Sequence, residues 1–185
     1  MVDQTEKEWI EKTKKGDQTA FKQLVEKYQN LIAATVIGMV GQIPEADDIG
    51  QETFIRFYQS LGKFRGESSV GTYLTRIAIN LSLNELRRRK RQNTYFYNNP
   101  EGNPEDFSKE KNTEEKEDIN QIVRSSVQKL EPKYRSVIVL RLINGYSTKE
   151  TSQILNVPLG TVLSRLARGQ ERLKKILTPL LRGAS

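Results

Sequence analysis

The sequence predicts an all-α protein of two small helical domains joined by a flexible acidic linker, and three observations carry that expectation. Apolar residues recur at three-and-four spacing along most of the chain, without the sustained alternation of a half-buried strand. Charge falls into three blocks. Residues 1–91 hold 15 Lys and Arg against 12 Asp and Glu, residues 92–118 hold 3 against 8, and residues 119–185 hold 12 against 3, giving net charges of +3, −5 and +9. Finally, 185 residues with 36% hydrophobic content suit one ordinary domain or two small ones, and the acidic break favours two small cores over one large one.

Composition excludes several function classes. Cysteine and histidine are both absent, which removes disulfides, thiolate nucleophiles, most zinc sites and the side chain most often used as a base near neutral pH. There is no Gly-rich phosphate loop, no Gly-x-Ser-x-Gly turn and no carboxylate pair isolated in an apolar stretch. The expectation is a protein that is not an enzyme, with no cofactor, no metal and no catalytic residue. No run reaches the roughly 20 apolar residues of a membrane span, and residues 1–15 are polar and charged. We therefore expect no membrane insertion and a cytoplasmic location.

In the first domain, residues 1–91, Phe21, Leu24, Val25, Tyr28, Leu31, Ile32, Thr35, Val36 and Met39 mark one long helix. Pro44 followed by Glu45, Asp47 and Asp48 reads as the start of a second, with proline in the first turn and acids near the positive end of the dipole. That helix runs through Phe54, Phe57, Tyr58 and Leu61 to a stop at Gly62. After a loop over 63–71, Leu74, Ile77, Ala78 and Leu81 form the buried stripe of another helix, which ends in the basic run Arg87, Arg88, Arg89, Lys90, Arg91. A bundle of roughly four helices results. The block 92–118, with NNPEGNPED at 98–106, cannot bury enough surface to offset the entropy of ordering and reads as a tether.

In the last block, residues 119–185, an apolar helix around Tyr134, Val137, Ile138 and Leu142 ends at Asn144-Gly145. Ser147 with Glu150 is a capping box opening a short helix to Leu155, Asn156 supplies the left-handed stop, VPLG at 157–160 makes the turn, and Thr161 caps the next helix. Helix, tight turn, helix is the arrangement of a duplex-DNA reader. On the second helix of the pair Val162, Leu166, Leu173 and Ile176 share one face, while Thr161, Ser164, Arg165, Arg168 and Arg172 share the other, where arginine can bond guanine or phosphate. Gly169 implies a close packing contact against the first helix of the pair, and Thr151 and Ser152 stand where apolar residues would ordinarily pack.

With that unit placed, four strings gain meaning in order: EADDIGQETF at 45–54, FRGESS at 64–69, TYLTRIAIN at 72–80 and GTVLSRL at 160–166. Over about 16–91 and 119–178 the chain resembles the extracytoplasmic-function (ECF, group 4, sigma-70 family) RNA polymerase sigma factors. The resemblance implies a region 2 bundle over 1–91 and a region 4 helix-turn-helix over 119–185. It places contact with the coiled-coil clamp of the largest core polymerase subunit on Asp47, Asp48, Gln51, Glu52 and Phe54. Capture of the melted, single-stranded -10 element would fall to Arg56, Phe64, Arg65, Ser69, Thr72, Tyr73, Arg76, Asn80, Asn84, Arg87 and Arg88. Recognition of the double-stranded -35 element would fall to Arg141, Lys149, Thr161, Ser164, Arg165, Arg168 and Arg172. An anti-sigma factor is an implied partner.

The sequence departs from the family at Tyr73, where tryptophan is usual, at Asn84, where aspartate is common, and at Leu163, often arginine. Physically, Tyr73, Arg76, Asn80, Asn84 and Arg87 share one helical face and combine stacking, amide readout and charge, which is what an unstacked base on single-stranded DNA requires. Residues alone also fit a stand-alone helix-turn-helix transcriptional regulator with an N-terminal dimerisation or sensing domain, or a protein-binding helical adaptor. A dimerisation domain has no use for the basic aromatic face over 73–91. Packing of the two domains on each other would be expected to hide both DNA faces.

Overall fold

Helices account for every regular element of the computed structural model, which describes residues 4–98 and 119–183. Four of them build the first unit: α1 (Gln4–Lys14), α2 (Gln18–Val40), α3 (Pro44–Ser60) and α4 (Val70–Asn98). Four more build the second: α5 (Ile119–Gln128), α6 (Pro132–Ile138), α7 (Thr148–Leu155) and α8 (Leu159–Gly183). A π turn over Val139–Ile143 continues α6.

Local chemistry explains the boundaries. Asp17 caps α2 by accepting from the amides of Thr19 and Ala20 at 2.8 and 3.1 Å. Pro44 opens α3 as expected, and the chain leaves that helix through a 3₁₀ turn, Leu61–Lys63. Helix α4 begins at Val70, one residue before the predicted end of the loop, because the Ser69 hydroxyl accepts from the Thr72 amide at 3.1 Å. It runs on to Asn98, so 92–98 is helical rather than tether; the rest of the predicted linker, 99–118, lies outside the described residues. The capping box is present, with the Glu150 carboxylate accepting from the Ser147 amide at 2.8 Å and the Ser147 hydroxyl from the Glu150 amide at 3.2 Å. These bonds hold the Glu150 carboxyl below its ordinary range. Asn156 is left-handed at φ 51°.

Three expectations need correction. Thr161 does not cap α8: the helix starts at Leu159, the turn is only 157–158, and the Pro158 carbonyl accepts from the amides of Thr161 and Val162. Gly169 packs against α6 rather than α7, since a Cβ there would sit 3.1 Å from Ile138 and 3.6 Å from Tyr134. And the two cores are not separate: one buried cluster runs from Leu24, Val36, Met39 and Leu74 to Val127, Ile138, Val139 and Leu140.

The second unit therefore lies on α2 and α4 of the first. Val139 of the π turn enters at Gly38, where a Cβ would be 3.0 Å from its methyl group. Polar pairs fix the orientation. Asn144 donates to the Thr35 hydroxyl at 2.7 Å, and the hydroxyls of Thr75 and Tyr146 meet at 2.7 Å. At the C-terminus of α2, Gln128 donates to the carbonyls of Ile37 and Gly38 at 3.0 and 2.8 Å, while the Arg135 guanidinium, 7% exposed, donates to the carbonyls of Met39, Gln128 and Leu130. A buried cation thus closes the negative end of a helix dipole belonging to the other unit. Burial lowers its pKa to about 10, so it remains charged at neutral pH.

Candidate nucleic-acid interface

On α3, Ala46, Ile49, Thr53 and Phe57 turn into the bundle, which leaves Asp47, Asp48 and Gln51 exposed one turn apart on the opposite face. Among the described residues no cation pairs with Asp47 or Asp48. Glu52 and Phe54 sit at the margins, half-buried; Glu52 accepts from Arg56 Nε at 2.7 Å. Two exposed carboxylates and an amide, flanked by exposed Ile55 and Tyr58, make an acidic surface with apolar spots.

Helix α4 carries the second surface. Its inner stripe is Leu74 and Ala78, with Ile77 and Leu81 half-buried, and a further flank of Thr75, Ile79 and Ser82 is buried. Tyr73 and Arg76, half-buried, lie on the remaining face with exposed Asn80, Asn84 and Arg87. The second unit covers the flank beside this face and leaves the face open, contrary to the expectation that domain packing hides it.

The loop before α4 divides the predicted strand-capture residues by role. Phe64 is 8% exposed, its ring 6.1 Å from Phe57 and 5.2 Å from Tyr73, so it anchors the loop rather than offering itself to a base. Thr72 is 2% exposed and bonded to Ser69 at 2.9 Å; the pair caps the helix. Arg65 and Tyr73 keep accessible surface, and Arg76 Nε is buried without a partner among the described residues.

A charge network not legible in the sequence joins α3 to α4. Glu85 takes bonds from Arg88 at 2.8 Å and Arg89 at 2.7 Å, and Glu45 of α3 lies 3.7 and 3.4 Å from the same two arginines. The Arg88 bond, then that of Arg89, hold the Glu85 carboxyl down at about 2 against burial. Because the folded pKa lies below the ordinary 4.5, the unfolded chain binds more protons between those values, and stability is lost as pH falls from about 4.5 to about 2. Acid unfolding of Glu85→Gln followed by circular dichroism is expected to show a shallower loss over that window; an unchanged slope would place the network's contribution elsewhere. Arg88, although exposed, is thus committed to the carboxylates of Glu85 and Glu45, whereas Arg87 bonds Asn84 at 3.0 Å on the open face.

The third surface is the start of α8. Val162 and Gly169 are buried and Leu166 and Leu173 half-buried, which turns Gly160, Leu163, Ser164, Ala167 and Arg168 outward. Thr161 and Arg165 are half-buried at the edge, and Lys149 on α7 is exposed. Two predicted contacts are occupied: Arg172 bonds Glu131 and stacks 4.4 Å over the Tyr134 ring, and Arg141 bonds the Tyr146 carbonyl. The unexpected polar residues of α7 find partial answers. Ser152 donates to the Val157 carbonyl at 2.6 Å and pins the turn, while the buried Thr151 hydroxyl has no partner among the described residues.

Comparison with known proteins decides the family. Residues 24–92 match the model for Sigma-70 region 2 and residues 120–173 that for Sigma-70, region 4. The RNA polymerase sigma-H factor of Pseudomonas aeruginosa is 33% identical over 195 aligned residues, covering 100% of both chains. The chain belongs to the ECF sigma factors of the sigma-70 family. The ECF RNA polymerase sigma factor SigW of Bacillus subtilis is 34% identical over 94% of this sigma factor and 97% of its own length. Two solved structures share the fold. CnrH in complex with the cytosolic domain of CnrY superposes with a TM-score of 0.70 at 23% identity, covering 95% of this chain and 98% of that one. RpoE with the anti-sigma factor NepR from Bartonella quintana gives 0.68 at 22%, covering 85% and 96%. The acidic face of α3 and the open face of α4 both fall within the region 2 match, and the α8 face within region 4.

Proposed function

We propose that this sigma factor binds core RNA polymerase through Asp47, Asp48 and Gln51, holds the melted -10 strand on the Tyr73, Arg76, Asn80, Asn84 and Arg87 face, and reads the -35 duplex with Ser164, Arg165 and Arg168. The observation that carries the reading is the presence of three open surfaces of distinct chemistry on one chain: one acidic, one aromatic and basic, one a basic helix-turn-helix. A stand-alone regulator needs only the last. The work is positional and non-catalytic, done in the cytoplasm beside the polymerase; no helix among the described residues is long and apolar enough to cross a membrane.

Tyr73 supplies a stacking ring at the mouth of the loop, Asn80 and Asn84 supply amides for base edges, and Arg87 a cation for phosphate. On α8, Arg168 has the reach and donor fork to bond guanine in the major groove. Arg168→Ala is expected to weaken -35 recognition by about 1–3 kcal/mol, read as reduced initiation from the cognate promoter; normal promoter choice would remove Arg168 from the role. We further propose an anti-sigma partner, supported by the solved structure of RpoE in complex with the anti-sigma factor NepR.

The deciding experiment is run-off transcription from a promoter library with purified core polymerase, with and without the protein. Protein-dependent transcripts sharing -10 and -35 elements are the expected result. No transcripts and no core binding, alongside tight binding of the protein alone to a duplex site, would favour the regulator.

A further inference from the structure

Leu159 and Leu163 stand one turn apart at the start of α8, 50% and 55% exposed, and neither joins the buried cluster or packs against it. At 100° per residue the outward arc of this helix has Gly160, Ser164 and Ala167 at its centre, the two leucines on one flank and Arg168 on the other. Small side chains at the centre let the helix approach a partner closely, and a Cβ at Gly160 would meet nothing within 4 Å. The first carboxylate on this arc is Glu171, two turns further on and paired with Lys175 at 2.8 Å. The arc therefore joins apolar surface to positive charge, with no neighbouring negative charge until the contact zone has ended.

Resting on the -35 reading above, we infer that Leu159 and Leu163 are specificity-determining residues that read thymine methyl groups in the major groove. The occupant follows from charge: Arg168 across the arc from the leucines, on a block (residues 119–185) of net charge +9, calls for a polyanion, and duplex DNA is a polyanion whose groove floor shows an apolar group at the thymine C5 methyl. Serine at the centre accepts any base edge and arginine opposite favours guanine, so neither duplicates what a leucine detects. The sigma factor accordingly discriminates thymine from cytosine at one or two -35 positions where hydrogen bonding from α8 is unavailable.

The test uses the full-length protein with core RNA polymerase on a promoter it selects. Each thymine of the -35 element is replaced in turn by uracil, which deletes the methyl group and keeps every hydrogen-bonding atom. Burial of one methyl corresponds to roughly a fourfold effect. Run-off initiation should fall about fourfold at one or two positions with the wild type, and the uracil penalty should vanish in Leu159→Ala/Leu163→Ala. Both side chains are exposed, so the double variant keeps its core. Sequence-specific initiation that ignores every uracil overturns the inference and leaves the -35 reading standing, as does a penalty that persists in the double variant. Loss of core binding by the double variant would assign the leucines to the polymerase and also overturn it. No protein-dependent transcript from any promoter overturns this inference together with the reading beneath it.

Discussion

Asp48→Arg is expected to abolish association with core RNA polymerase while leaving the fold intact. Asp48 is exposed, bonds no described residue and stands one turn from Glu52, so the unbound protein loses nothing in packing when it is replaced. The bound state loses a carboxylate facing a basic partner and gains a like charge in its place. Charge reversal at a close interfacial pair costs about 2–5 kcal/mol or more, which corresponds to a fall in affinity of about thirtyfold to several thousandfold. Co-elution with core polymerase on size exclusion reads the outcome, and an unchanged thermal transition verifies the fold. Full core binding by this variant would refute the assignment of the α3 face. Asp47→Ala should be milder, since it removes one attraction without adding a repulsion.

Features that the sequence displayed were the local ones. The capping box at Ser147 and Glu150, the left-handed Asn156 and the proline start of α3 each depend on residues within a turn of one another, so spacing alone specifies them. The open face of α4 and the outward face of α8 were visible for the same reason. What stayed hidden was set by distant residues. Arg88, Arg141 and Arg172 have the same composition signal as Arg87 and Arg168, yet the first three are held by Glu85, the Tyr146 carbonyl and Glu131 and Tyr134. Phe64 and Thr72 lay in two strings the family resemblance marked as binding, but both are buried and packed on Tyr73 and Ser69 at the loop. Thr75, Ile79 and Ser82 lie beside the expected stripe of α4 and are buried, and the Thr75 hydroxyl meets Tyr146 of the second unit, a contact no periodicity carries. One signal could have exposed the contact: Arg135 is a lone cation inside the apolar run Tyr134 to Leu140, and such a charge needs a nearby acceptor.

Arg135→Ala is expected to lower stability by about 3 kcal/mol and to loosen the two units from each other. The guanidinium serves carbonyls on both sides of the boundary, at Met39 in the first unit and at Gln128 and Leu130 in the second. Leaving a buried acceptor unsatisfied costs about 1–3 kcal/mol, and the truncation strands more than one while opening a void. For a chain of this size the thermal midpoint should fall by about 6–12 °C. Tyr146→Phe, which removes only the hydroxyl meeting Thr75, should cost about 1 kcal/mol and report the same interface without a cavity. The consequence for transcription runs the other way. A compact chain of 185 residues is about 40 Å across, whereas -10 and -35 elements some 25 base pairs apart are separated by about 85 Å along the duplex. If the α4 and α8 faces take the -10 and -35 elements as proposed, a compact chain of that size is too small to span both, and the Arg135 contact is expected to break before initiation. Loosening it should therefore raise the radius of gyration of the free protein in X-ray scattering and leave holoenzyme activity near wild type below the new melting point. A variant that melts earlier with no expansion would show that Arg135 holds only the second unit together, and would return the separation of the domains to other contacts, Asn144 with Thr35 and Tyr146 with Thr75 first among them.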